Sequence, residues 1–226
     1  MNDSLIYEQN QEMTITKVFA WMGLGLLITF GVALGLAFAL PYILLDTSIY
    51  LTLMIVAIVL MFVETFVLQY RVIKNHKSAV APYIIYSVSM GIMMSSIILY
   101  TDVKIILLSL GTAALVFGLL ALFGYISKKD LSSMGSVAAM VLIGGVIISL
   151  FNVLFFRNNT LYWIVSLATF GAFMLFTAFD MWRMNKIIQS GMGNRNLAIY
   201  CAFQLYIDFI YIFMRILELY MANSRN

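Results

Sequence analysis

Residues 201 to 217 read CAFQLYIDFIYIFMRIL, an apolar and aromatic run interrupted by Gln204, Asp208 and Arg215. Coiled as a helix, a run of this length rises about 25 Å, most of the roughly 30 Å of a bilayer's hydrocarbon core. A helix is required there, because lipid offers no partner to an unpaired backbone amide. Lipid also cannot solvate Asp208, so this helix must turn one face toward other protein or toward water. The stretch therefore predicts a membrane span that belongs to a bundle.

The rest of the chain agrees. Of 226 residues, 63% are hydrophobic and only 10% charged, a balance far from that of soluble domains. The predicted fold is all-α and polytopic, with seven spans at about 17–39, 49–70, 79–100, 104–126, 132–156, 161–188 and 197–221. The third and fourth are divided only by TDVK at 101–104, whose two charges would be costly in lipid. A polar tail is predicted over 1–16, the seven-helix domain over 17–221 and a short tail over 222–226. The N-terminal stretch lacks the charged, apolar and cleavable pattern of a signal peptide, so the first span is expected to be retained.

Counting Lys and Arg at the span ends gives nine on one face and four on the other, which predicts a cytoplasmic N-terminus. The net charge of +3, spread over short loops, argues against nucleic acid as a partner. One cysteine, Cys201, allows no internal disulfide, and one histidine, His76, provides no metal cluster. No cofactor is expected. His76 reads as a solvated loop residue. The NNT at 158–160 fits a glycosylation sequon, but it lies too close to the membrane to argue for a secretory pathway. Gly31 and Gly35 in GVALG have the small-xxx-small spacing of a close helix contact, and Gly144 and Gly145 lie in the fifth span.

A second carboxylate sharpens the reading of the first. Asp180 lies on the sixth span, and Asp180 and Asp208 are each fourteen residues from Asn194 in the glycine-containing turn SGMGNRN. Residues equidistant from the turn of a helical hairpin lie at matching depth, so the two acids can face each other. Gln204, Cys201, Tyr211 and Arg215 share a stripe with Asp208, and Thr177, Thr169 and Ser166 share one with Asp180. Each acid alone could be a packing residue bonded to a neighbouring hydroxyl. Two in contact cannot both ionise cheaply, so they should share a proton and respond to pH as a pair. Glu64 on the second span is a third candidate acid. Arg71, two turns further on, either snorkels to the interface or reaches inward to neutralise a carboxylate. Arg215 and Glu218, three residues apart, can pair with each other.

The sequence resembles the transmembrane Bax inhibitor motif family and its bacterial members. KVFAWMGLGLLIT at 17–29, SKKDLSSMGSVAAMVLIGGVIISLFNVLF at 127–155, FD at 179–180 and LYIDFIYIF at 205–213 carry the resemblance. It implies a bundle in which the last helix is central. It also implies that Asp180 and Asp208 form a hydrogen-bonded pair gating a pH-sensitive calcium leak, with an arginine from the second span as a latch. Tyr211 stands where relatives often carry Asn, Met181 and Trp182 where they often carry Thr and Gln, and Arg71 matches the latch only loosely.

The expected function is thus a proton-regulated calcium leak. Asp180 and Asp208 would be the sensing pair and transient calcium ligands, with Glu64, Arg71, Gln204 and Arg215 as supporting ion-path or latch candidates. The alternative is a regulator that binds a membrane protease or cell-death machinery. An enzyme is not expected: an intramembrane aspartyl protease needs small residues beside an aspartate, and Asp208 is flanked by Tyr206, Ile207, Phe209 and Ile210. The short tails point to a bacterial plasma membrane.

Overall fold

A computed structural model describes residues 13–43, 47–74 and 78–224. His76, and the tails over 1–12 and 225–226, lie outside the described residues. The elements are α1 (Ile15–Ile43), α2 (Thr47–Lys74), α3 (Val80–Tyr100), α4 (Val103–Ile126), α5 (Ser132–Phe151), a π-helical turn at Asn152–Phe156, α6 (Asn159–Gln189) and α7 (Arg195–Ser224). All seven α-helices are long and apolar enough to cross a membrane. The described residues contain no strand.

The helix starts are set by short polar side chains that accept from first-turn amides. Thr14 Oγ1 accepts from Lys17 N at 3.4 Å. Asp102 Oδ1 accepts from Lys104 N at 2.7 Å, Asn158 Oδ1 from Leu161 N at 3.1 Å and Asn194 Oδ1 from Leu197 N at 2.8 Å. Asp102 is why TDVK divides two spans. α6 stops at Gly191, whose φ of 67° is the left-handed conformation that glycine adopts without strain.

Two compact units make up the chain, one of residues 1–106 with 187–206 and the other of residues 107–186 with 207–226. In the first, α1 and α3 approach closely. A Cβ on Gly91 would sit 2.6 Å from the Thr29 carbonyl, and one on Gly25 would collide with the Tyr83 hydroxyl. Thr29 Oγ1 donates to Ser87 O at 2.9 Å and shares a 2.6 Å hydrogen bond with Tyr206 Oη. Tyr83, Tyr86, Phe203 and Tyr206 meet edge to face around this bond. Ala79 N, before α3, donates to the Asn196 side chain at 3.0 Å, tying α3 to α7.

In the second unit, Gly124 lets α4 rest on the Ala178 carbonyl of α6, and Gly135 lets α5 rest on the Phe179 ring. Phe117 meets Phe209 edge to face at 5.6 Å, and Asn185 Nδ2 donates to Tyr125 O at 3.0 Å. Gly145 faces Thr169, as close packing on the fifth span requires. Gly31, Gly35 and Gly144, by contrast, have nothing described within 4 Å where a Cβ would go, so GVALG is not a contact face among the described residues.

Burial is distributed as a bilayer dictates. α2 exposes Ile55, Val59, Phe62 and Phe66, each at least half accessible, an arrangement stable only against lipid. α7 is the reverse: 67% of its most apolar window is buried, against 11% for α2. Among the seven helices α7 is therefore the most buried.

Candidate functional site

α7 places Asp208 among Tyr206, Phe209 and Ile210, all buried, and Asp208 itself is 4% accessible. α6 places Asp180 between buried Ala178 and Met181, and Asp180 is 8% accessible. Both acids belong to the second unit. They lie within electrostatic reach of each other, and Thr177, one turn before Asp180, lies within hydrogen-bonding reach of Asp208. Thr177 Oγ1 donates to the Phe173 carbonyl at 3.0 Å. Asp180 Oδ1 and Asp208 Oδ2 are buried without a hydrogen-bond partner in the protein. A buried carboxylate oxygen with no donor is costly, and its cost is relieved by a proton, a cation or water.

A polar chain continues along the same two helices. Thr169 and Ser166 are buried on α6. Tyr211 Oη donates to Thr169 Oγ1 at 2.8 Å, and Arg215 Nε donates to Tyr211 Oη at 3.1 Å. Arg215 also donates to Glu218 Oε2 at 2.6 Å, the ion pair their spacing predicts. Tyr162, near the start of α6, donates to the other oxygen of Glu218. Phe173 stacks on Tyr211 at 3.6 Å between centroids, which seals the chain on one side. The polar stripes read on α6 and α7 are thus joined to each other through Thr169 and Tyr211.

The remaining candidates are placed as follows. Arg71 donates to Ser78 O at 2.6 Å, so its guanidinium is engaged at the connection between α2 and α3, the snorkelling alternative. Glu64 is half-buried, and its Oε2 has no hydrogen-bond partner. Gln204 is half-buried on α7. The sequence reading noted Trp182 only as a departure from the family pattern and not for its buried Nε1, which also lacks a partner. Nor did it find Tyr162, which lies 56 residues from Glu218 with no spacing to connect them.

Seven apolar helices, lipid-facing α2 and buried carboxylates on α6 and α7 define an integral, multi-pass membrane protein. Residues 11–226 match the family described as inhibitor of apoptosis-promoting Bax1, and the chain belongs to that family. It is 31% identical to the uncharacterized protein YrjE of Lactococcus lactis, over 100% of this chain and 99% of that one. It is 29% identical to the inner membrane protein YbhL of Escherichia coli K12, over 99% and 97% of the two chains. An uncharacterized protein of Borreliella burgdorferi is likewise 29% identical, over 97% of both.

Proposed function

We propose that the chain is a proton-regulated cation leak that passes calcium, with Asp180 and Asp208 sharing a proton and setting when ions pass. The observation that carries this reading is the burial, on adjacent membrane helices, of two carboxyl groups that each keep an oxygen without a donor. Such acids are expensive to bury and mark ion or proton pathways when they face a bundle interior. Two of them within reach of each other favour a single negative charge between them, which a passing cation or a second proton can neutralise.

Calcium takes six to eight oxygens, of which two carboxyl groups supply only part. That suits transit better than storage. The described residues hold no group of three or more His, Cys, Asp or Glu side chains from which a resident metal site could be built. The bulky neighbours of Asp208 favour a non-catalytic role over peptide hydrolysis. The likeness to an Escherichia coli inner membrane protein supports a bacterial plasma membrane, and the excess of basic residues supports a cytoplasmic N-terminus.

The test is calcium flux into proteoliposomes measured from pH 6 to pH 8. Wild type should change its flux across that range, with acid opening favoured by the family resemblance. Asp180→Asn and Asp208→Asn should each flatten the profile. Profiles indistinguishable from wild type in both variants would refute the role of the pair.

The family's description as an inhibitor favours a second reading, a regulator that acts by binding another membrane protein. Co-purification from native membranes distinguishes the two. A partner retained by Asp208→Asn, in a protein whose flux never exceeds that of empty liposomes, would favour the regulator.

A further inference from the structure

α6 and α7 are joined covalently by the turn at 190–194, and far from that turn they are held together by side chains of the second unit. Tyr162, in the first turn of α6, donates to one carboxylate oxygen of Glu218, and Arg215 donates to the other at 2.6 Å. Arg215 Nε also donates to Tyr211 Oη at 3.1 Å, and the Tyr211 hydroxyl passes its own hydrogen to Thr169 Oγ1 at 2.8 Å. Thr169 cannot return that bond, because its hydroxyl donates to the carbonyls of Val165 and Ser166. Every hydroxyl in the circuit is thus committed in one direction. Tyr162 and Thr169 are seven residues apart on α6, as Tyr211 and Glu218 are on α7, so the two ties span equal lengths of both helices.

The circuit begins one turn beyond Asp208, at Tyr211, whose ring stacks on Phe173. Phe173 O accepts from Thr177, the hydroxyl that lies within reach of Asp208, so the carboxyl site and the circuit meet the same stretch of α6. A calcium ion beside the pair would need room for its oxygen shell at 2.3–2.6 Å, which requires α6 and α7 to part there. The turn prevents parting at one end. Only the circuit opposes it at the other. Beside Arg215 and Glu218, and bordered also by Trp163 and Ser166, lies a cavity of about 20 Å³, room for one water. Water is nearly as good a hydrogen-bond partner as protein, so it can take over the bonds of an opened circuit. Closed and open arrangements can therefore lie close in energy, as a switch requires.

Resting on the reading of Asp180 and Asp208 as the site of a leak, we infer that Tyr162, Glu218, Arg215, Tyr211 and Thr169 form an autoinhibitory clasp. It holds α6 against α7 and keeps the path past the carboxyl pair closed until its bonds part. None of the five needs to touch the ion, so they are positioning residues.

Two measurements on the full-length protein in proteoliposomes, both at one fixed pH, test the clasp. One is calcium flux. The other is the rate at which a water-soluble thiol reagent labels Ser166→Cys with Cys201 replaced by alanine, since Ser166 is buried at the cavity. Tyr162→Phe and Tyr211→Phe each delete one hydroxyl and keep the ring, so the Phe173 stack survives. Each should raise both labelling rate and flux roughly tenfold, the scale of one hydrogen bond to a charged group. Glu218→Gln discharges the ion pair while keeping an acceptor for Tyr162, should act in the same direction, and serves where a phenylalanine variant fails to fold. Tyr220→Phe is the control: it removes the 3.2 Å hydroxyl bond with Thr112 of α4, near the same end of α7, and should change neither measurement.

Labelling left unchanged by the clasp variants, or raised as much by Tyr220→Phe, would overturn the clasp. Faster labelling without greater flux, in a protein whose wild type passes calcium, would overturn the autoinhibition and leave the leak reading intact. A wild type that passes no calcium at any pH would sink the leak and the gating together, while labelling would still show whether the circuit holds the two helices.

Discussion

Gly91 and Gly124 each stand where a backbone carbonyl of another helix occupies the space of a side chain. A carbonyl in a helix cannot rotate away as a flexible side chain can, so overpacking there forces whole helices apart. Gly91→Ala and Gly124→Ala should each destabilise the protein by about 1–3 kcal/mol or more, seen as a lower thermal midpoint in detergent. Gly31→Ala and Gly35→Ala meet nothing described within 4 Å. They should be neutral or stabilising by about 0.5–1 kcal/mol, because glycine loses more conformational freedom than alanine when a helix forms. Equal losses at all four positions would contradict the packing described. The comparison also shows what a sequence conceals at this scale. GVALG has the spacing of a contact face, yet the helices touch at other glycines, because spacing reveals which residues share a face and not which face meets a partner. Asp180 and Asp208 were legible because a charge in a greasy run stands out. The Tyr162 contact to Glu218, the unpartnered Nε1 of Trp182 and the hydroxyl bond between Thr29 and Tyr206 were not, since the polar atoms of tyrosine, tryptophan and threonine reveal nothing in a membrane helix until their surroundings are known.

At the level of elements, hydropathy alone located all seven spans, with ends displaced by a few residues where polar caps rather than apolar character decide the first turn. α6 and α7 each begin two residues before the predicted start because Asn158 and Asn194 accept from their first amides. The fifth span shows a finer departure. Asn152 interrupts α5 with a π turn, and Arg157 then takes a left-handed φ of 46° while its amide donates to Asn152 O at 2.6 Å. Hydropathy carries no trace of such a turn. Asp130, before α5, gives a pH-dependent element. Hydrogen bonds from the Ser132 side chain and amide hold its carboxyl below the usual carboxylate range, and Ser132 N donates to Asp130 Oδ1 at 2.8 Å. A depressed folded value means that this contribution is present above the unfolded value of about 4 and is lost as pH falls through the folded one. Amides in the first turn of α5 should therefore lose protection from hydrogen exchange below about pH 4, beyond the intrinsic pH effect on exchange. Asp130→Asn should remove that extra loss, and an unchanged profile would show the cap to be irrelevant.

For the molecule as a whole, seven helices able to cross the membrane should place Thr14 and Ser224 on opposite faces of it. With Cys201 replaced by alanine, Ser224→Cys in intact cells should react with an impermeant thiol reagent, and Ser190→Cys should react only after lysis. The reverse pattern would overturn the proposed orientation. The fold class was readable in full from composition and periodicity. The deep burial of α7 was expected from likeness to a family rather than from hydropathy, because α7 is as apolar by its mean hydropathy of 1.7 as α6. Its consequence concerns biosynthesis. α7 follows the other six helices in the chain, so during translation six segments wait in lipid before the most buried one arrives. Assembly must then wait for the thirty residues of α7. A nonsense codon anywhere before Arg195 should yield a product that inserts normally but never compacts, and is cleared by membrane quality control far faster than the full chain in a pulse-chase.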